Sequence, residues 1–234
     1  MRKNLVDPFV FTKKTVFMQR LSDLVRSNHS RYILGTISID KAPYFAAKMD
    51  LNYSCFANKV TAHRERQRGN ASSRLLFLSQ ENTTHLTWVL LVTEGKWQSP
   101  YAGNEKWLDP IEDRITISGY ELVRHIRSGN AKPSWTWRYT GARYDELRNM
   151  VVMAIRRHRA DELRNLIDSL WRSPAFAGVR EQIKKFAQLI KAEWTRSGVG
   201  DMPEIPKGLG FVRRLPDKGK KLSMLIKEAE IGNS

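Results

Sequence analysis

A single cysteine, Cys55, stands in 234 residues, so no internal disulfide can form and no Cys-x-x-Cys pair exists to hold zinc. A reducing cytoplasm is the expected compartment. The five histidines, His29, His63, His85, His125 and His158, never lie two apart, which removes the paired-histidine metal strand of rolling-circle replication enzymes and relaxases. No Gly-rich Walker loop, no Gly-x-Ser-x-Gly and no His-Glu-x-x-His occurs, which disfavours an NTPase, an α/β-hydrolase and a zinc peptidase. After Met1-Arg2-Lys3 no long apolar stretch follows, and the longest run, Trp88 to Val92, is far too short to span a bilayer. Neither secretion nor membrane insertion is expected, and no internal repeat is visible.

What the chain has is positive charge, 40 Lys and Arg against 24 Asp and Glu, unevenly placed. Residues 1–78 carry an excess of +9, residues 79–140 an excess of 0 and residues 141–234 an excess of +7. A merely soluble small domain needs a net charge of only about 2 to 8. Clustered Lys and Arg release condensed counterions from a phosphate backbone, so nucleic acid is the expected partner. At 41% hydrophobic and 10% aromatic the chain can bury a proper core.

Apolar spacing at Val16, Phe17, Leu21, Leu24 and Val25 predicts an opening amphipathic helix after the Lys13-Lys14 pair. Residues 32–39 read as a strand, and a short helix through Phe45, Ala46 and Met49 follows, with Pro43 in its first turn. Residues 59–70 read as a polar basic connection, and Leu75 to Leu78 and Leu86 to Thr93 as two strands joined by a turn over Gln80 to Thr84. Gly95 to Asp113 has no sustained period and reads as a loop. Strands resume at Ile115 to Ile117, Glu121 to Ile126 and Ser134 to Tyr139.

From the N-cap candidate Thr140, stripes at Tyr144, Leu147, Val151 and Ile155, then at Leu163, Leu166, Ile167 and Leu170, predict one bent helix or two. A further helix carries Val179, Ile183, Phe186, Ile190 and Trp194 and ends at Ser197-Gly198. Residues 198–221 hold five Gly, three Pro and six Lys or Arg, a loop or linker composition, and Leu222 to Ile231 a short final helix. The expected organisation is an N-terminal helix over 1–30, a strand-rich core over 31–139, a helical subdomain over 140–197 and a basic Gly/Pro-rich segment over 198–234. The fold class is α+β, a small antiparallel, ferredoxin-like sheet with a helical subdomain on one side.

Four constellations could meet a polyanion. Lys59, His63, Arg64, Arg66 and Arg68 offer guanidinium forks for phosphate oxygens, the bland alternative being a solvated loop. Lys207, Arg213, Arg214, Lys218, Lys220 and Lys221 are interleaved with glycines that let backbone N–H groups approach phosphate; here the alternative is a flexible tail, although Phe211, Val212 and Leu215 look anchored. Arg156, Arg157, His158 and Arg159, with Arg148 and Arg164, could line one helix face, or be solvated beside Asp161 and Glu162. Trp135, Trp137 and Tyr139 could stack bases, yet an alternating aromatic stripe beside amphipathic helices is more often core. Glu94-Gly95-Lys96 follows a strand as in metal-dependent nucleases, but needs Asp50 or Asp109 to hold magnesium, so no metal and no cofactor are expected.

One chemistry needs none of the missing motifs, because RNA can be cut by its own 2′-hydroxyl once a protein aligns it and stabilises the phosphorane. His63 is the candidate proton carrier there, because imidazole is the side chain that ordinarily exchanges a proton near neutral pH. The strand-helix-strand-strand order, the helical insertion, the basic surface and the Gly/Arg segment resemble, over residues 30–220, the CRISPR RNA-processing endoribonucleases, particularly the type IV form with its helical finger. That resemblance implies RNA contact by Gly208 to Gly219, with Arg213 and Arg214 near the scissile phosphate, and membership of a ribonucleoprotein complex in antiviral defence. The chain is also similar to accessory proteins of plasmids and conjugative elements, which implies DNA binding without cleavage.

Overall fold

The computed structural model describes residues 6–80, 84–97, 99–126, 133–197 and 200–232. It divides into two compact units, one made of residues 1–113 with 215–234 and the other of residues 114–214. The architecture is α+β throughout.

In the first unit a short strand β1 (Phe9–Phe11) leads into helix α1 (Lys14–Arg26), then strand β2 (Arg31–Ser38), helices α2 (Ala42–Tyr53) and α3 (Lys59–Gln67), and strands β3 (Ser73–Ser79) and β4 (His85–Val92). The sheet is closed at one edge by the C-terminal strand β8 (Gly219–Lys221), which continues into helix α7 (Leu222–Gly232). Strand order is β2-β4-β3-β1-β8 in a five-stranded sheet. The sheet is mixed, because β1 runs parallel to β3 while the other pairs are antiparallel. Two helices stand between β2 and β3, where a ferredoxin-like order has strand following strand.

Sequence chemistry explains these elements locally. Val16, Phe17, Leu21 and Val25 bury one face of α1, and Asn28 ends it in the left-handed region (φ 65°), where an Asn side chain is tolerated. Pro43 occupies the first turn of α2, whose Ala42, Ala46, Met49 and Tyr53 pack on Leu75, Phe77, Leu86, Leu90 and Val92 of the sheet. Residues 59–67, expected as a loop, form the helix α3, because the Asn58 side chain accepts a hydrogen bond from Thr61 N at 2.8 Å and so caps it. No apolar period announced this helix, since Ala62 is its one buried side chain.

In the second unit an antiparallel sheet of strands β5 (Thr116–Ile117), β6 (Tyr120–His125) and β7 (Ser134–Tyr139) carries helices α4 (Gly141–Arg156), α5 (Ala160–Trp171) and α6 (Ala177–Ser197). Thr140 caps α4 through Arg143 N, as expected. The α6 helix lies so close to β7 that a Cβ on Gly178 would stand 2.7 Å from the Trp137 carbonyl oxygen. Gln182 of α6 accepts from Tyr139 N at 2.7 Å and donates to Tyr139 O at 3.1 Å. Those two bonds give edge strand β7 polar partners that it would otherwise seek from water or another chain. Trp137 and Tyr139 are buried beneath the helices and Trp135 is half-buried, so the aromatic stripe is core and does not offer itself to bases.

Candidate nucleic-acid interface

Helix α3 is the most densely basic helix of the first unit. Lys59, His63, Arg64, Arg66 and Arg68 are all exposed along it and at its C-terminus. At 100° per residue Ala62 and Glu65 share the inner side, which leaves Arg64 and His63 turned outward. Glu65 turns back to Arg68 at 2.9 Å and to Asn70 at 2.7 Å. Lys59, Arg64 and Arg66 have no acidic partner among the described residues. Packing does not explain the helix's composition, so its cations are available to a ligand.

The C-terminal segment is tied to the N-terminal strand, as a tail would not be. Thr12 N donates to Lys218 O at 3.1 Å and Leu222 N to Pro8 O at 3.0 Å. Gly219 is required by this pairing, because a Cβ there would stand 2.0 Å from Val10 O. Arg20 bonds Asp217 at 2.6 Å and Leu215 O at 2.7 Å, while Leu215 N donates to Gln19 at 3.1 Å. Leu215 is thus anchored as expected, whereas Phe211 is 82% exposed. The pairing draws Lys13 and Lys14, at the start of α1, into the neighbourhood of Lys218. Lys220 pairs with Glu228 at 2.5 Å and Lys221 donates to Asp7 O at 3.0 Å, exposed contacts of small energy.

The second unit is the more basic, with 20 Lys and Arg against 10 Asp and Glu, while the first holds 20 against 14. Part of this charge is structural. Glu121, buried, accepts from Arg138 at 2.6 Å and Arg114 at 3.0 Å. Glu193, buried on α6, accepts from Arg156 at 3.2 Å and Arg196 at 3.0 Å. Arg156 therefore ties α4 to α6, and Arg159 pairs with Glu162 at 3.1 Å. Arg157, at the C-cap of α4, is exposed and has no acidic partner among the described residues.

The candidates for catalysis do not share a unit: His63 belongs to the first, and Arg213 and Arg214, both exposed, to the second. A different histidine carries the perturbed environment. His29 is buried, and its Nδ1 lies 3.0 Å from Leu24 O, which makes Nδ1 the protonated nitrogen. Its Nε2 is buried with no hydrogen-bond partner among the described residues. Burial pushes its pKa down to about 4 against the pull of the Leu24 carbonyl, and the charges of Arg74 and Arg66 lower it further. Cys55 is buried and the burial raises its pKa, so it is held as a thiol.

Glu94-Gly95-Lys96 has a structural account. Lys96 N donates to Gly69 O at 3.0 Å, and a Cβ on Gly95 would stand 2.4 Å from Ala71 N. Asp50 accepts from Phe56 N at 3.1 Å and Asp109 from Ile111 N at 2.8 Å, so both carboxylates brace turns. Among the described residues no three His, Cys, Asp or Glu gather into a group able to hold a metal ion. No helix among them is long and apolar enough to cross a membrane. No family model matches the chain, and no curated protein or solved structure is significantly similar to it.

Proposed function

We propose that this protein binds nucleic acid through its phosphate backbone, with RNA the favoured partner. The observation that carries the reading is α3, a capped helix that gives the core one side chain yet presents Lys59, Arg64 and Arg66 without acidic partners among the described residues. A helix of that kind gains from a polyanion what it does not gain from packing, because each phosphate neutralised releases a counterion. The charge of the second unit and the Lys13, Lys218 neighbourhood support the same reading.

A gel-shift panel of hairpin RNA, single-stranded DNA and duplex DNA at one fixed salt concentration tests it, with hairpin RNA expected to be retained most tightly. Preference for duplex DNA decides for the plasmid-accessory alternative, and absence of binding at low salt to all three ends the proposal. The resemblance to RNA-processing enzymes adds a separate demand. In EDTA, the 2′-oxygen would attack phosphorus, the bond to the 5′-oxygen would break, and a 2′,3′-cyclic phosphate and a 5′-hydroxyl would appear. Retained but intact RNA assigns the protein to a binding role within a ribonucleoprotein complex.

A further inference from the structure

The second unit contains a cleft of about 480 Å³, walled by Trp171 at the end of α5, by Arg180, Ile183 and Lys184 of α6 and by the segment from Lys207 to Phe211. Its size lies within the range of roughly 300–1,000 Å³ usual for small-ligand clefts. Three cations stand in its wall against one acid, Glu181, whose Oε1 lies 2.9 Å from His125 Nε2. Lys184 and Lys207 are exposed and have no acidic partner among the described residues. Anionic ligands are therefore favoured.

The aromatic side chains narrow the class. The Arg180 guanidinium carbon sits 3.9 Å from the centre of the Phe211 ring, so one face of that ring is occupied by a cation. At 82% exposure the ring is otherwise open to solvent, an unusual position for a phenylalanine. Trp171 adds a second aromatic wall, and its buried indole Nε1 has no hydrogen-bond acceptor among the described residues. A planar base could lie on the open face of Phe211 to complete a sandwich with Arg180, while an attached phosphate meets the two lysines. We infer that this cleft receives one unpaired nucleotide, its base stacked on Phe211 and its phosphate held by Lys184 and Lys207. The inference rests on the nucleic-acid reading and sharpens it, since a stacked base must come from a single-stranded region.

The test is fluorescence anisotropy with a labelled single-stranded oligonucleotide and with a duplex of equal length, alongside calorimetric titration with free adenosine monophosphate. Phe211→Ala removes an exposed ring, and circular dichroism confirms the fold. Stacking is worth ~1–3 kcal/mol per base, so the single strand should bind roughly five- to 150-fold more weakly, with a smaller loss on the duplex. Joint change of Lys184 and Lys207 to Ala should flatten the single-strand salt dependence by about 0.7, for the one phosphate that they hold. A single-strand affinity untouched by Phe211→Ala overturns the cleft while leaving the nucleic-acid reading in place. Failure to bind any polynucleotide, with adenosine monophosphate bound in a Phe211-dependent way, overturns that reading and keeps the cleft as a site for a free nucleotide. Failure of both titrations ends both.

Discussion

Changing Lys59, Arg64 and Arg66 together to Ala isolates the contribution of α3. All three side chains are exposed and lack acidic partners among the described residues, so their removal breaks no ion pair and opens no cavity. Each phosphate contact on a single strand contributes about 0.7 to the slope of log K against log salt, so three contacts contribute about 2.1. Because that term vanishes near 1 M salt, the variant should bind about 50-fold more weakly at 0.15 M and about 500-fold more weakly at 0.05 M. Wild type and variant should converge as salt rises. The assay is anisotropy of a labelled single-stranded RNA at several salt concentrations, with thermal melting as the control for folding. Parallel salt plots for the two proteins, whatever the offset between them, would show that α3 does not touch phosphate.

Arg213 and Arg214 changed together to Ala should flatten the salt slope by about 2 on duplex-containing ligands, and an unchanged slope removes both from the interface. Gly178→Ala forces a Cβ to 2.7 Å from Trp137 O and should destabilise the helical unit by about 1–3 kcal/mol in a thermal melt. A melting temperature equal to wild type would mean that α6 does not press on β7 as described. His29, lowered to about 4 by burial, takes up a proton on unfolding below its ordinary pKa near 6.5, so its contribution is intact above pH 6.5 and lost as the pH falls toward 4. Urea melts should show wild type losing about 2 kcal/mol between pH 7 and pH 5 relative to His29→Gln, and equal losses in both proteins would place His29 in solvent contact.

Regular apolar spacing made most of the helices legible. The stripes of α1, α4, α5 and α6 fall mainly on residues that the structure buries, with Leu24, Tyr144 and Trp194 half-buried at their margins, because a helix packed on a sheet needs a continuous apolar face. Helix α3 has no such face, and its one signal was Asn58 standing three residues before the N–H it accepts. Strand β1 was hidden for another reason. Its three residues are held by β3 and β8, partners that lie far away in sequence, and its own length carries no period. The same limit applies to the cleft: Arg180 and Lys184 read as the polar side of an amphipathic helix until the fold sets Lys207 to Phe211 against them.

Charge alone does not rank the arginines, because the fold sorts them by what each already holds. Arg114, Arg138, Arg156 and Arg196 hold the carboxylates of Glu121 and Glu193, which are 8% and 5% exposed. A phosphate that drew these guanidinium groups away would leave a buried carboxylate without its partners, at a cost of several kcal/mol. Arg143, Arg159 and Arg164 instead pair with exposed acids one helical turn away, contacts worth about 0–1 kcal/mol that a phosphate can replace. Lys59, Arg64, Arg66, Arg157, Lys184 and Lys207 hold no acid among the described residues and surrender nothing. Binding energy should therefore concentrate in this last group, and substitutions in the first should reveal themselves as lost stability before they alter any salt dependence.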